Sequence, residues 1–260
     1  MTALFILAMA TVPLSACGDS KAKKNAGSDD TDSRIKSELR ELTRTITEGD
    51  ASGFAAMCDY PIERPYPLKA IENAEEMTRY FPILADDSLR NIMRNAGPDD
   101  WEAYGWRGWS LSECQPLWYD GGVEIINYES GKEREMRGQL AREEIRTLAP
   151  EYREGWTPVT TLIETDGKRI FRIDQSGDVY RIMGFPDPTY AHGVPELLLN
   201  GIMESEGSAA LRYYIFDDNA GSTAEYTPDG ELPLRIWLTR PQAGNDTVVV
   251  TAGYWRDYVK

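Results

Sequence analysis

The protein has 260 residues, among them 43 acidic and 28 basic side chains, which give a net charge of −15 at neutral pH. A charge of this sign and size is opposite to what a nucleic-acid-binding surface needs, and it also disfavours adsorption onto anionic lipid. The length suffices for one large domain or two modest ones. We therefore expect a well-solvated globular protein that does not bind nucleic acid.

The chain begins with an apolar run from Ala3 to Ala16 that stops at Cys17. This run is shorter than the about 20 apolar residues that a membrane-spanning helix needs, and it matches the apolar region of a secretory signal. Its end, Leu14-Ser15-Ala16-Cys17, resembles the lipobox of bacterial lipoproteins. The resemblance implies cleavage before Cys17 and acylation of its thiol and new amino group. An ordinary cleaved secretory signal and a buried N-terminal helix are the alternatives.

Residues 17–32 are small, polar or charged after the cysteine, so they bury too little apolar surface to order themselves. They are predicted to be a flexible tether between a lipid anchor and a folded body. In lipoproteins of two-membrane bacteria, Asp directly after the cysteine favours the inner membrane. Gly18 stands there, so the resemblance implies the outer membrane, facing the periplasm or the cell surface.

Apolar residues at helical spacing predict a first helix from about Asp32 to Glu48. Further helices are predicted for a short segment carrying Phe54 and Met57, from Asn73 to Phe81, over Asp87–Asn95, and over Glu133–Leu148. The last of these places its apolar side chains on one side: Met136, Leu140, Ile145 and Leu148. Pro61, Pro65 and Pro67 predict an extended crossing before the third helix.

Residues 101–130 are dense in aromatic and β-branched side chains, which favour strands. Between Val159 and Phe185, the pairs Asp166-Gly167 and Ser176-Gly177 are strong hairpin signals, and they predict three strands with one buried face. Residues 187–260 alternate short strand-like segments with Gly, Pro, Asp and Asn turns. They are predicted to form a β-meander, either as a separate module or as strands that complete the first sheet.

Three stretches, EGDASGFAAMCDYPI, PLKAIENAEEMTRYF and YGWRGWSL, resemble the nuclear transport factor two-like (SnoaL-like) cone of some bacterial lipoproteins. The resemblance covers residues 33–186. It implies an α+β fold in which helices pack on a curved antiparallel sheet, the cone, followed by a C-terminal antiparallel β-meander. The expected organisation is a signal peptide at 1–16, the tether at 17–32, the cone at 33–186 and a β-rich module at 187–260.

Enzymes of the cone family place an aspartate base and phenolic or carboxylic donors inside the cone. Residues of these types are Asp59, Tyr60, Tyr119 and Asp120, although none matches a catalytic position of that family. The alternative is that they are polar side chains at strand ends, with no role in catalysis.

Aromatic side chains are the candidates for ligand binding, because their faces stack on apolar ligands and sugars. The first group is Trp101, Tyr104, Trp106, Trp109 and Trp118, for which a packed core is the alternative. A second, sugar-binding group would be Trp237, Tyr254, Trp255 and Tyr258. Residues three apart in a strand point to opposite faces, so one of Trp106 and Trp109 is predicted to be buried and the other partly exposed.

With Cys17 assigned to lipid, Cys58 and Cys114 remain, and they are either a disulfide of an oxidising compartment or two free buried thiols. The single histidine, His192, has no Cys/His cluster around it in the sequence. No nucleophile-elbow, P-loop, HExxH or dinucleotide motif occurs, so we expect no metal and no cofactor.

These features predict a cell-envelope lipoprotein, held at the membrane by its lipid anchor, with a non-catalytic role in binding or envelope assembly. Its partner would be an unknown envelope protein or a small ligand. The alternatives are a small-molecule enzyme of the cone family using Asp/Tyr acid–base chemistry, and a sugar-binding module. Titratable groups that converge in a deep pocket would favour the enzyme.

Overall fold

The computed structural model of the protein describes residues 28–97, 99–105, 108–111, 115–186, 193–206, 211–228, 233–241 and 243–254. The helices are α1 Ser28–Glu48, α2 Ala51–Ala56, α3 Ala74–Leu84, α4 Asp87–Asn95 and α5 Gly131–Arg146. The strands are β1 Trp101–Ala103, β2 Trp109–Leu111, β3 Leu117–Tyr119, β4 Val123–Ile126, β5 Thr157–Glu164, β6 Ile170–Ser176, β7 Val179–Phe185, β8 Leu197–Glu206, β9 Leu211–Asp217, β10 Thr223–Tyr226, β11 Arg235–Arg240 and β12 Gly244–Gly253.

Polar caps begin four of the helices. Asp50, Asn73 and Asp86 accept backbone N–H bonds at the starts of α2, α3 and α4, and Ser130 forms a reciprocal capping box with Glu133 at the start of α5. Helix α1 begins at Ser28, inside the segment predicted to be the tether. These local signals explain why the predicted helices are found close to their expected places.

Helices α1–α4 and a small sheet form the first part of the molecule. The sheet is antiparallel in the order β1-β2-β3-β4. The stripe of α1 formed by Leu39, Leu42 and Ile46 is buried, as are the rings of Phe54 and Phe81, whose centroids lie 5.2 Å apart. This core is apolar and continuous, and we call this part the helical layer.

Strands β5–β12 form the second part, a closed antiparallel barrel in the order β10-β11-β12-β5-β6-β7-β8-β9. The closing contact pairs β12 with β5 in the register Val250↔Glu164 to Gly253↔Thr161. The inward side chains fill the barrel: Leu162, Phe171, Ile173, Tyr180, Ile182, Leu199, Tyr214, Phe216, Ala224, Tyr226, Ile236, Leu238, Val248 and Val250 are all buried.

The predicted fold class, helices on one curved sheet with a C-terminal meander, is therefore wrong. The hairpins of 157–185, expected in the cone, and the strands after residue 193, expected in the meander, belong to one barrel, because β7 pairs with β8. The middle hairpin strand also differs from the one-faced prediction. Arg172 and Asp174 point away from the interior, yet both are fully buried because α5 covers that wall.

Helix α5 lies between the two parts and is held by charges as well as by apolar packing. Below its C-terminal end, Ile170, Met183 and Phe185 of the outer barrel wall pack with Leu148. Beside them, Asp174 receives Arg172 Nε at 2.6 Å and Arg181 Nη2 at 2.7 Å, with these side chains almost fully buried. Arg172 also donates to the backbone carbonyl of Glu144 on α5 at 3.1 Å.

A second contact joins the barrel to the proline-rich crossing. The Tyr66 hydroxyl lies 2.8 Å from Thr161 Oγ1 on β5, and the Tyr66 ring stacks on Tyr254, which follows β12. The backbone N–H of Ala70 donates to the Tyr254 hydroxyl at 2.8 Å. The crossing is thus fixed between the helical layer and the two strands that close the barrel.

Candidate functional site

An open groove of about 670 Å³ lies where the helical layer meets the barrel. It lies between the proline-rich crossing, α3, α5 and the residue after β12, and we call it the α3–α5 groove. Its volume falls in the range of ligand pockets, roughly 300–1,000 Å³. Its lining is mainly apolar: Pro67, Leu68, Ala70, Ile71, Ile83, Met136 and Leu140.

The crossing supplies the buried side of the groove. Pro67, Leu68 and Ile71 are buried, and backbone hydrogen bonds between Ile62 and Ile71 in both directions close the crossing into a loop. The stacked pair of Tyr66 and Tyr254 fixes one end of that loop, with ring centroids 6.1 Å apart and ring planes 6° from parallel. The groove therefore has a preformed wall rather than one that a ligand must order.

Helices α3 and α5 form the other walls, and the buried carboxylate of Glu133 joins α5 both to α3 and to the crossing. The Glu133 carboxylate of α5 accepts Arg64 Nε at 2.9 Å and the Tyr80 hydroxyl of α3 at 2.9 Å. Arg64 also donates to the carbonyls of Ile126 and Tyr128. Side-chain exposure is zero for both members of the ion pair. This network sets the separation of the walls.

Three charged side chains also line the groove. Lys69 and Arg79 are exposed, and Lys69 Nζ lies 5.2 Å from the centroid of the Tyr254 ring. Glu76 is half-buried, and its carboxylate accepts the backbone N–H of Glu72 at 2.9 Å. The carboxylate of Glu76 is thus held against the start of α3. Arg79 Nη1 lies 3.4 Å from Glu75 Oε1, and both cationic side chains are exposed beside the apolar lining.

The two phenols of the groove are poor candidates for proton transfer. Burial, with Glu133 nearby, raises the pKa of the Tyr80 phenol, and its hydroxyl is donated to that carboxylate. Burial also raises the pKa of the Tyr254 phenol. A phenol with a raised pKa stays protonated at neutral pH and is a weaker acid than a free tyrosine. The arrangement suits binding of an apolar group better than acid–base chemistry.

The four residues suggested as catalytic lie outside the groove, near the β3–β4 turn. Tyr60 donates its hydroxyl to the carbonyl of Ala55 at 2.8 Å, and burial raises its phenol pKa. Tyr119 donates to Glu38 Oε2 at 3.0 Å, and burial, followed by Glu38, raises its pKa to about 12.

The two carboxylates of that set are on the same turn region. Asp59 donates its backbone N–H to Val123, and its carboxylate packs against the backbone of Gly122, where a Cβ would come within 2.4 Å of Oδ2. Asp120 is exposed and donates its N–H to Gly122. The structure brings these groups to one turn, with both phenol hydroxyls donated to protein acceptors.

The first aromatic group belongs largely to packed structure. Trp101 and Trp118 are buried, and Trp109 packs against the core of the helical layer. Tyr104 is half-buried and meets Trp118 edge to face at 5.1 Å. Gly108, at φ +81°, approaches the Tyr119 carbonyl so closely that a Cβ would lie 2.4 Å from it, which makes glycine necessary there. Trp106 lies outside the described residues.

The second aromatic group is not brought together within the described residues. Trp237 is 44% exposed on the outer wall of the barrel, whereas Tyr254 lines the α3–α5 groove. Trp255 and Tyr258 lie outside the described residues.

Of the cysteines, only Cys58 lies within the described part of the chain. Its thiol is buried and donates to the carbonyl of Phe54 at 3.4 Å, and burial raises its pKa to about 12. A thiol with so high a pKa is unreactive. Cys17, Cys114 and His192 lie outside the described residues.

Sequence reasoning found Tyr254 as an aromatic candidate but not the groove around it. Met136 and Leu140 lie on the same side of α5, as predicted, but they line the groove and are not part of the core. The signal in the sequence for this groove was the helical spacing of Met136 and Leu140, which lie opposite the proline-rich crossing. The other wall could not be predicted, because Ala70 and Tyr254 are far apart in the sequence.

Among the described residues, no group of three or more His, Cys, Asp or Glu side chains is arranged to hold a metal ion. In the same part of the chain, every helix falls short of the length and apolarity that crossing a membrane requires. In comparisons with known proteins, no family model, no curated protein and no solved structure matches this chain.

Proposed function

We propose that this protein is a cell-envelope lipoprotein with a non-catalytic binding role, anchored through Cys17, which holds a small apolar ligand with an anionic group in the α3–α5 groove. The observation that carries the proposal is the groove itself. It has a preformed apolar lining, two cationic side chains beside it, and two phenols unsuited to proton transfer.

The apolar lining supplies the affinity in this proposal. Each buried CH₂ group contributes about 0.8 kcal/mol, so a medium-length acyl chain against Leu68, Met136 and Leu140 gains several kcal/mol before the entropic cost of binding. Lys69 and Arg79 select for an anionic group at the open side of the groove. An exposed ion pair contributes only about 0.2–1 kcal/mol, so charge tunes the choice of ligand rather than driving binding.

The sequence supports the location. The lipobox-like Leu14-Ser15-Ala16-Cys17 provides the acylation site, and the acidic surface leaves lipid modification as the route to the membrane. Labelling cells with a radioactive fatty acid tests this part. The parent should incorporate label and Cys17→Ser should not; equal labelling of the two would rule out the anchor.

Ligand binding is tested with the full chain carrying Cys17→Ser, so that no attached acyl chain interferes. The probe is a fluorescent fatty acid, together with its uncharged methyl ester. We expect saturable binding of both, which Leu140→Asp weakens at least about tenfold, because a charge in an apolar lining must be desolvated. Lys69→Ala should weaken the acid about two- to fivefold and leave the ester unchanged.

Ile125→Asp serves as the matched control, since Ile125 is 51% exposed on β4 and lies away from the groove. It should leave the affinity for both probes unchanged. Equal binding by the parent and Leu140→Asp, with Leu140→Asp folded by circular dichroism, would refute the groove as the binding site.

A further inference from the structure

The outer surface of the barrel is buried under α5 on one side and exposed on the other. The wall formed by β6 and β7 is covered by α5 and buries Arg172, Asp174 and Met183. On β8, β9 and β11, by contrast, Ile202, Ile215 and Trp237 are 48%, 39% and 44% exposed. A strand wall that faces only water normally presents polar side chains at these alternate positions.

These three apolar side chains lie in one row, which Glu225 on β10 interrupts between Ile215 and Trp237. The strand registers pair Ile202 with Ile215, Ile215 with Glu225, and Glu225 with Trp237. Neighbouring strands lie about 4.8 Å apart, so the row crosses roughly 14 Å of the barrel surface. Single exposed apolar residues need no explanation, but a row in which three of four neighbouring positions are apolar is typical of an interaction surface.

A hollow of about 320 Å³ lies beside the row, and the two charged side chains that line it, Glu204 and Glu225, are both acidic and exposed. Glu204 stands opposite Tyr213 in the register, and Glu225 stands opposite Ile215. Within the part of the chain that the structure describes, neither of these two carboxylates makes an ion pair or a hydrogen bond. A tyrosine ring flanked by two free carboxylates is suited to an ammonium or guanidinium group.

We propose that this surface of β8–β11, the outer barrel row, docks a segment of a partner protein that carries both apolar and basic side chains. The apolar side chains cover Ile202, Ile215 and Trp237, and a Lys or Arg enters the hollow between Glu204 and Glu225. This site is distinct from the α3–α5 groove and does not depend on it.

Charge selects this occupant over two others. In a symmetric dimer whose two-fold axis passes through the hollow, its carboxylates would approach those of the second copy. Asp217 adds another exposed carboxylate on β9, and the arginines of these strands, Arg212, Arg235 and Arg240, do not line the hollow. An anionic lipid surface meets the same repulsion, reinforced by the net charge of −15.

The test uses the full chain with Cys17→Ser and a short labelled peptide composed of leucine and lysine, with a twin in which glutamate replaces every lysine. We expect the basic peptide to bind at least about tenfold more tightly than its twin, and added salt to reduce this preference. Glu204→Gln with Glu225→Gln should reduce the preference to about threefold or less. Trp237→Ala should weaken the basic peptide at least about fivefold.

Glu124→Gln with Ile125→Ala is the matched control, because both residues are exposed on β4 in the helical layer. It should leave both affinities unchanged. Equal binding of the two peptides, or an equal loss in the control variant, would overturn the proposal. Two other results would also overturn the proposal, because each would assign the row to a different occupant. One is a dimer of the parent in sedimentation that Trp237→Ala converts to a monomer. The other is binding to phospholipid vesicles that Trp237→Ala abolishes.

Discussion

A single carboxylate, that of Asp86, connects the starts of α4 and α5. It accepts the backbone N–H groups of Ser88 and Leu89 at 3.0 Å each, that of Gly131 at 3.3 Å, and the Tyr128 hydroxyl. Partial burial acts to raise the pKa of Asp86, but these hydrogen bonds outweigh it and the pKa is lowered from 3.8. One side chain therefore links two helices that are distant in sequence.

Replacing this carboxylate tests its contribution. Asp86→Ala should lower the free energy of unfolding by about 1–3 kcal/mol, since it removes a helix cap and leaves the Tyr128 hydroxyl without its acceptor. Asp86→Asn should lower the free energy of unfolding by less, because asparagine is also a good N-cap residue. Urea unfolding at neutral pH measures both, and equal stability of Asp86→Ala and the parent would contradict the role.

The same residue predicts a pH dependence. A carboxylate whose pKa is lower in the folded than in the unfolded state contributes stability above its unfolded pKa, and loses it as the pH falls through the folded value. The stability difference between the parent and Asp86→Ala should therefore be constant above about pH 5 and shrink below about pH 4. Unfolding curves across this range measure it; a difference that grows on acidification has the opposite sign and would refute the argument.

At the scale of elements, α5 is unusual because its two buried residues are both glutamates, Glu133 and Glu144. Glu133 joins it to the helical layer through Arg64 and Tyr80. Its other end meets the charged barrel wall, where burial lowers the pKa of the Arg181 guanidinium while Asp174 acts in the opposite direction. Buried charges at both ends of α5 fix its rotation about the helix axis, which apolar packing alone would define less well.

Removing the shared carboxylate of that wall should be costly. Asp174→Ala leaves Arg172 and Arg181 buried without it, and we expect a loss of about 3–5 kcal/mol in the free energy of unfolding. Asp178→Ala, an exposed position in the next turn, is the control and should change stability by less than about 0.5 kcal/mol. Similar losses of stability in the two variants would show that the buried Asp174 contributes no more to stability than an exposed aspartate does.

A separate prediction concerns the close approach of two barrel strands at Gly201 on β8. A Cβ there would lie 1.9 Å from the carbonyl oxygen of Ile215 on β9, which is backbone and cannot rotate away. Gly201→Ala should therefore lower stability by about 1–3 kcal/mol or more. Gly131→Ala, where a Cβ meets nothing within 4 Å, should be neutral or stabilising. Thermal unfolding of the two variants measures this, and the reverse order would contradict the close strand approach.

At the scale of the molecule, the helical layer and the barrel share α5, the Tyr66–Thr161 contact and the Tyr254–Ala70 hydrogen bond. We expect them to unfold together, so that far-ultraviolet circular dichroism and tryptophan fluorescence give one coincident transition in urea. The fluorescence reports on both parts, because Trp118 lies in the helical layer and Trp237 in the barrel. Two separated transitions would show that the parts are independent.

Most helices could be predicted from the sequence because their signals are local: the cap at Asn73 and the apolar spacing of α1 lie within a few residues of what they specify. The barrel could not, since its closing pair joins Val250 to Glu164 and no turn signal links them. The groove has the same difficulty, because Tyr254 reaches Ala70 only through that closure. The burial of Glu133 was hidden because glutamate on a helix normally indicates an exposed face.

The closure of the barrel also bears on the order in which the parts of the protein can fold. Strand β5 forms hydrogen bonds on one side with β6, its neighbour in sequence, but its other edge stays open until β12 arrives. An open edge is a site for pairing with other chains. While the helical layer can fold from local contacts, the barrel cannot close until the residues up to Gly253 are available, and its non-local pairing is then slow. Until β12 pairs with β5, that open edge is where the unfinished barrel is most exposed to pairing with another chain.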